Sequence, residues 1–315
     1  MYILGFDIGG TKCAVITAKS DGTNIELIKK EVIPTNHDIS AREMIDTLIK
    51  LADTLLDGKP DKIGISCGGP LDSGRGVIMS PPNLPGWDNV EIVKQIGEYY
   101  GAPTKLQNDA NACALAEWKF GAGAGCNNMV FLTFGTGLGA GLILDGRLYE
   151  GTNGNAGEVG HIRLAESGPI GYRKAGSFEG FCSGGGIARL GYSEAKKAVE
   201  RGERPAYFSD GMTESDVSAM SIAHAAEEGD PTALEVYRIS GKYLGRGLSV
   251  LIDILNPERI VIGSIFVRSG KLLIDAMRDE IEKEALSESD SCCQIVGAKL
   301  SENLGDYAAI ATALV

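Results

Sequence analysis

Two glycine-rich turns, each set between two apolar strand-like runs, constrain this chain more than anything else in it. The first, Asp7-Ile8-Gly9-Gly10-Thr11-Lys12, follows Tyr2–Phe6 and precedes Cys13–Ala18. The second, Thr133-Phe134-Gly135-Thr136-Gly137-Leu138-Gly139, follows Met129–Leu132 and precedes Ala140–Leu144. Glycine takes positive φ without steric cost and lets a phosphate approach backbone N–H groups closely. The repeated pattern predicts an α/β chain of two lobes with a polyphosphate held between them. It points to phosphoryl transfer rather than dinucleotide binding. A Rossmann fingerprint opens a helix, not a second strand. A P-loop needs G-x-x-x-x-G-K-[ST], which neither turn supplies.

A length of 315 residues suits about two domains, each with its own core. The net charge of −12 argues against a nucleic-acid or anionic-membrane partner. An acidic chain still binds ATP where turn amides, Lys12 and a metal ion supply the positive field. The seven cysteines, Cys13, Cys67, Cys113, Cys126, Cys182, Cys292 and Cys293, are odd in number and irregular in spacing. That usage suits a reducing compartment. The N-terminus runs into the first strand with no signal-peptide pattern, and no apolar run approaches the roughly 20 residues that span a bilayer. A cytoplasmic protein is expected.

The first lobe reads as a β-meander over Tyr2–Ile33, a helix over Ile39–Leu56, a strand at Lys62–Ser66, a helix at Val90–Tyr100, a strand at Thr104–Gln107 and a helix at Ala110–Trp118. Met44, Ile45, Leu48, Leu51, Ala52 and Leu55 give the first helix its apolar stripe. Gly121–Gly125 reads as a linker or hinge. The predicted division is 1–119, which the C-terminal helix 305–315 can complete, and 120–304. Gly151–Gly186 reads as a long irregular loop, of the kind that usually carries function. Thr232–Leu255 is a long helix stopped by Asn256-Pro257, followed by a strand at Arg259–Gly263, a helix over Lys271–Ala285 and a strand at Gln294–Lys299.

Three constellations carry chemistry. The glycine turns present N–H groups and Thr hydroxyls to phosphate oxygens. Asp7 is positioned to hold Mg²⁺ through water, because this ion keeps several waters and takes few carboxylates. Gln107-Asn108-Asp109-Ala110-Asn111 closes a strand and opens a helix, where Asp or Asn suits an N-cap. The alternative is that Asp109 is a general base for a sugar hydroxyl attacking a γ-phosphoryl group, with Asn108 and Asn111 orienting it. In Gly151–His161, Glu158 and His161 lie among glycines, and carboxylate and imidazole both suit polyol hydroxyls.

Together these residues resemble the ROK family (repressor, open reading frame, kinase), bacterial sugar kinases with relatives that became transcription factors. The resemblance runs along nearly the whole chain. It rests on Asp7–Lys12, Asn83-Leu84-Pro85-Gly86-Trp87, Asn108–Glu117, Thr133–Gly141, Gly154–His161, Glu179, Asn256–Gly263 and Gly305-Asp306. It implies a two-lobed actin-like (ribonuclease-H-like) ATPase fold. It implies that Asp109 is the catalytic base and that Asn83, Asn108, Asp109, Glu158, His161 and Glu179 contact the sugar. It implies phosphate contacts from Gly9, Gly10, Thr11 and Lys12 and from Thr133, Gly135, Thr136 and Gly137, and nucleoside contacts near Gly263. Family members often assemble, so a homodimer or homotetramer is expected.

One departure stands out. The family usually carries three Cys that bind a structural zinc with the His. Here Ile170, Tyr172 and Ser177 occupy those positions, and no zinc is expected. Tyr172, Phe178 and Phe181 are the expected apolar staple of the loop instead. A second departure is Gly263-Ser264-Ile265, where relatives often have further glycines.

The reading that follows is phosphorylation of a sugar hydroxyl by ATP with Mg²⁺, O6 of a hexose or N-acetylhexosamine being the expected acceptor. The alternatives are a sugar-responsive regulator without a DNA-binding domain of its own, since Met1 adjoins the first strand, and a sugar-binding protein without turnover.

Overall fold

The structure is a computed structural model that describes all 315 residues. The chain divides into two units. One holds Met1–Asn127, Gly141–Ala156 and Lys299–Val315; the other holds Asn128–Ala140 and Gly157–Ala298.

The first unit starts with strands β1 (Tyr2–Ile8), β2 (Lys12–Ser20) and β3 (Ile25–Pro34), an antiparallel meander. Helix α1 (Ala41–Leu55) follows, opened by a capping box in which Ser40 Oγ accepts from the Glu43 N–H and the Glu43 carboxylate accepts from the Ser40 N–H. Its apolar stripe buries Met44, Ile45, Leu48, Ala52 and Leu55. Then come β4 (Lys62–Cys67), the short hairpin β5 (Leu71–Asp72) and β6 (Val77–Ile78), α2 (Ile92–Tyr100), β7 (Thr104–Asn108) and α3 (Asp109–Phe120). The sheet order is β3-β2-β1-β4-β7, and β4 and β7 join parallel to β1.

Alternation along β1 builds both faces of this sheet. Leu4, Phe6 and Ile8 join the core with α1, whereas Ile3 faces Ala309 and Ile310 near the C-terminus. Gly64 permits that second packing, because a methyl group on it would overlap the Ala309 carbonyl.

The second unit is built on β8 (Met129–Phe134). Strand β9 (Leu138–Leu144) follows, and the division of the chain falls inside it; β10 (Arg147–Tyr149) comes next. The segment Gly141–Ala156 therefore groups with the first unit, not with residues 120–304. The Glu150 carboxylate there accepts from Ser73 Oγ (2.6 Å) and Gln107 Nε2 (3.1 Å).

Within the expected irregular stretch lie a two-rung hairpin, β11 (Ile170–Gly171) and β12 (Lys174–Ala175), and the short helix α4 (Phe178–Phe181). Helices α5 (Gly184–Glu200), α6 (Ala219–Glu227) and α7 (Pro231–Leu255) follow, then β13 (Arg259–Ile262), α8 (Ile265–Ser269), α9 (Ile274–Glu284), α10 (Ser287–Cys292) and β14 (Gln294–Gly297). Strands β8, β13 and β14 run parallel. Asp230 caps α7, Pro231 occupies its first turn, and Asn256 closes it at φ 42°. The final helix, α11 (Leu304–Thr312), belongs to the first unit.

Gly121–Gly125 is not a free linker. The buried Glu117 carboxylate accepts from Ala122 N (2.6 Å), Lys299 N (3.2 Å) and Leu300 N (2.8 Å), which pins the glycines to α3. All seven cysteines are free thiols, and no helix is long and apolar enough to cross a membrane.

Candidate active site

In the first unit the β1–β2 turn is locked from behind by β3. Lys12 pairs with Pro34, which carries Thr35 alongside the turn. Thr35 N donates to Thr11 O (3.0 Å), and Thr35 Oγ1 donates to Gly9 O (2.6 Å). His37 Nε2 lies 2.8 Å from Gly10 O. The turn's carbonyls are thus held, while Thr11 and Lys12 are exposed. Neither Thr35 nor His37 carries a sequence signal, since strand pairing alone brings them in. The loop with Asn83 is fixed by buried Leu84 and Trp87. It rests against the turn so closely that a methyl group on Gly10 would lie 2.5 Å from the Asn83 carbonyl oxygen.

Asp7 is the next-to-last residue of β1, beside this turn. Burial pushes its carboxyl up to about 6, helped by the charges of Asp306 and Asp109 and opposed by Lys30 and Lys12. Lys30 Nζ pairs with the buried Asp306 at 2.7 Å. Gly305 makes room for the Asp7 carboxylate, whose Oδ2 would lie 2.7 Å from a methyl group there.

Asn108 is the N-cap of α3, and its Oδ1 accepts from Ala110 N at 3.0 Å. Asp109 is the first helical residue. Its Oδ1 also accepts from Ala110 N, at 2.8 Å. The Asp109 side chain is open to solvent, yet it stands amid dense protein, and that desolvation raises its pKa against the amide bonds that lower it. An accessible carboxylate of raised basicity is what a general base requires. Asn111 is buried: its Nδ2 donates to Gln107 Oε1 at 3.2 Å, and its Oδ1 has no hydrogen-bond partner.

In the second unit the β8–β9 turn is closed by Thr133, whose Oγ1 accepts from Gly139 N (2.9 Å), and by Gly135 N donating to Gly137 O (3.1 Å). Thr136 at its tip is exposed. Gly263 follows β13 and donates to Leu132 O (3.0 Å). Ser264 next to it stands at φ 53°, ψ −110°, a conformation glycine adopts more readily. Its Oγ would lie 3.6 Å from a methyl group on Gly135, so the Gly263 segment adjoins the turn.

Glu158 and His161 bracket a short 3₁₀ turn, Val159–His161, and both are exposed. Gly160 packs against the Leu138 carbonyl and Glu179 Cβ. Glu179 Oε2 accepts from Leu138 N at 3.1 Å. Glu179 therefore anchors the second glycine turn as well as standing beside Glu158–His161, a link that only tertiary packing reveals.

The donor set of the family's zinc site does not fit zinc here. Ile170 has no donor atom, and Tyr172 is 70% exposed at φ 37° on the hairpin tip, outside the expected apolar staple. Ser177 Oγ accepts from Gly180 N (3.1 Å) as the cap of α4 and donates to Gly171 O (3.4 Å). Buried Phe178 and Phe181, the latter stacked on Tyr243 at 3.5 Å, supply the staple. Lys174 Nζ donates to His161 O (2.7 Å), and Arg163 donates to Ala175 O (2.9 Å). Asp7, by contrast, fits Mg²⁺: a carboxylate joined by the negative charge of Asp306 and Asp109, at the start of the β1–β2 turn.

Two α/β units, each opening on a strand, a glycine turn and a second strand, define the two-domain actin-like fold of sugar kinases. Residues 3–314 match the profile of the ROK family, and the chain belongs to that family. It is 32% identical over 293 residues to a glucokinase of Halalkalibacterium halodurans, covering 90% of this chain and 86% of that one. Among solved structures it is similar to a ROK family glucokinase from Streptomyces griseus in complex with glucose and AMPPNP. The TM-score is 0.78 at 28% identity, with 99% of each chain covered. It is also similar to a ROK family transcriptional regulator, a homolog of the E. coli MLC protein. There the TM-score is 0.84 at 25% identity, over 99% of this chain and 78% of that one.

Proposed function

We propose that this chain is an ATP-dependent sugar kinase that phosphorylates the primary hydroxyl of a hexose or N-acetylhexosamine, with Asp109 as general base. The observation that carries this reading is Asp109 itself: open to solvent, raised in basicity, and close enough to Asp7 for its charge to raise that carboxyl in turn. A base of that kind takes the proton of a hydroxyl as it attacks the γ-phosphorus. Asn83, Asn108, Glu158, His161 and Glu179 are the residues assigned to the sugar, accepting from and donating to its hydroxyls. Gly9–Lys12 and Thr133–Gly137 receive the phosphates, and Gly263 borders the nucleoside. Mg²⁺, bound near Asp7 mostly through water, would neutralise charge on the transferring phosphoryl group. No zinc takes part, given the donor set around Ser177.

Glucose is the first acceptor to test, because the Streptomyces griseus relative is described with glucose bound. The product tests the site of transfer. Two-dimensional ³¹P–¹H NMR should correlate phosphorus with the C6 protons, and correlation with the anomeric proton would sink the O6 assignment.

The regulator reading draws on the similarity to the transcriptional regulator. It predicts sugar binding without ADP formation, so the same incubation decides between the two.

A further inference from the structure

A groove of about 510 Å³ runs along α5 and α7 in the second unit, floored by the loop residues Ser167–Pro169. In a chain of net charge −12 its charge is unexpectedly positive. Lys197 pairs with Glu194 at 2.8 Å, and Arg238 with Glu235 at 2.6 Å. Arg189 and Lys242 line the same groove beyond these pairs, and Arg189 Nε is buried with no hydrogen-bond partner. A buried guanidinium N–H left unmade is costly, and an anion in the groove would offset that cost through the part of the Arg189 side chain that lines it. One wall is the Phe181–Tyr243 stack, and Glu194 and Glu235 offer carboxylates to hydroxyl donors. Cations for a phosphate and carboxylates for hydroxyls, beside an aromatic wall, together suit a phosphorylated sugar.

We propose that this groove is a second ligand site that takes a small sugar phosphate and acts on the sugar loop. The coupling is physical. Gly168 stands at φ 144° with its α-carbon against the Phe181 ring, and Pro169 O accepts from Gly176 N at 3.1 Å. Gly180 is pressed on the Pro169 carbonyl, and its neighbour Glu179 holds Leu138 N. A ligand bearing on residues 167–169 therefore bears on the segment that carries Glu179. The site stands without the kinase reading; its effect on sugar affinity rests on that reading.

The test is calorimetric titration of the full chain with glucose 6-phosphate, in the presence of saturating glucose and AMPPNP so that the glycine turns are occupied. Inorganic phosphate is titrated in parallel. The expected result is a binding event weakened about tenfold or more by Arg189→Gln and by Lys242→Gln, each checked for unchanged thermal melting, with inorganic phosphate at least about tenfold weaker. No binding under saturation, or binding that both variants leave intact, would overturn the site. Equal affinity for inorganic phosphate would overturn the sugar-phosphate assignment. In the kinase assay the occupied groove should move the KM for sugar and leave kcat in place; an unmoved KM would overturn the coupling alone.

Discussion

At the scale of single residues, Asp7 shows a carboxylate kept at a cost. Its folded pKa, about 6, lies above the ordinary 3.8, so the folded state holds the proton more tightly than the unfolded one. The stability from that proton is fully present below about pH 4 and is lost as pH rises through 6. Asp7→Asn removes the penalty. Its melting temperature should exceed that of the parent at pH 8, by on the order of 3 kcal/mol of stability, and the difference should vanish near pH 4. A variant less stable at pH 8 would show that Asp7 is held by favourable bonds instead. Glu179 gives a second residue-level expectation. Because its carboxylate accepts from Leu138 N while standing beside Glu158–His161, Glu179→Ala should raise KM for ATP and for sugar together. A change confined to sugar would restrict Glu179 to the acceptor.

At the scale of elements, the two strand–turn–strand units were readable because period-2 apolar runs and glycine turns are local signals. What stands behind the first turn was not. Thr35 and His37 arrive through the β2–β3 register, which no local pattern encodes. Helix α5 begins with Gly184-Gly185-Gly186, residues that argue against a helix on propensity. Tertiary packing overrides this, because Gly186 lies against the Gly180 carbonyl where a side chain would not fit, and Ser183 caps the helix. In the loop before it, Ser177 takes the cap of α4. Ser177→Ala should cost about 1–2 kcal/mol and be seen as a lower melting temperature. A zinc-selective chelator should leave melting unchanged in the parent. A fall in melting temperature on chelation, with zinc released, would contradict the metal-free bracing of this loop.

At the scale of the whole molecule, the chain carries a net charge of −12, and its candidate site adds carboxylates of its own. The candidate base and metal carboxylates, Asp109 and Asp7, both sit above the ordinary carboxylate range. Both must lose their protons to act, so activity should fall as pH drops through values higher than an exposed Asp would give. Mg²⁺ and nucleotide favour ionised Asp7, so the acid limb of kcat/KM for ATP should lie at higher pH than the limb of kcat. Coincident limbs near pH 4 would contradict the raised carboxylates. The measurement that bears most directly on the account is ADP release across a panel of hexoses and N-acetylhexosamines, for the parent and Asp109→Asn, with nucleotide and sugar binding measured beside it. The account predicts turnover on at least one sugar, reduced by roughly 10²–10⁴ in Asp109→Asn while both ligands still bind. Turnover undiminished in that variant, or no sugar-dependent turnover in a parent that binds ATP, would contradict it.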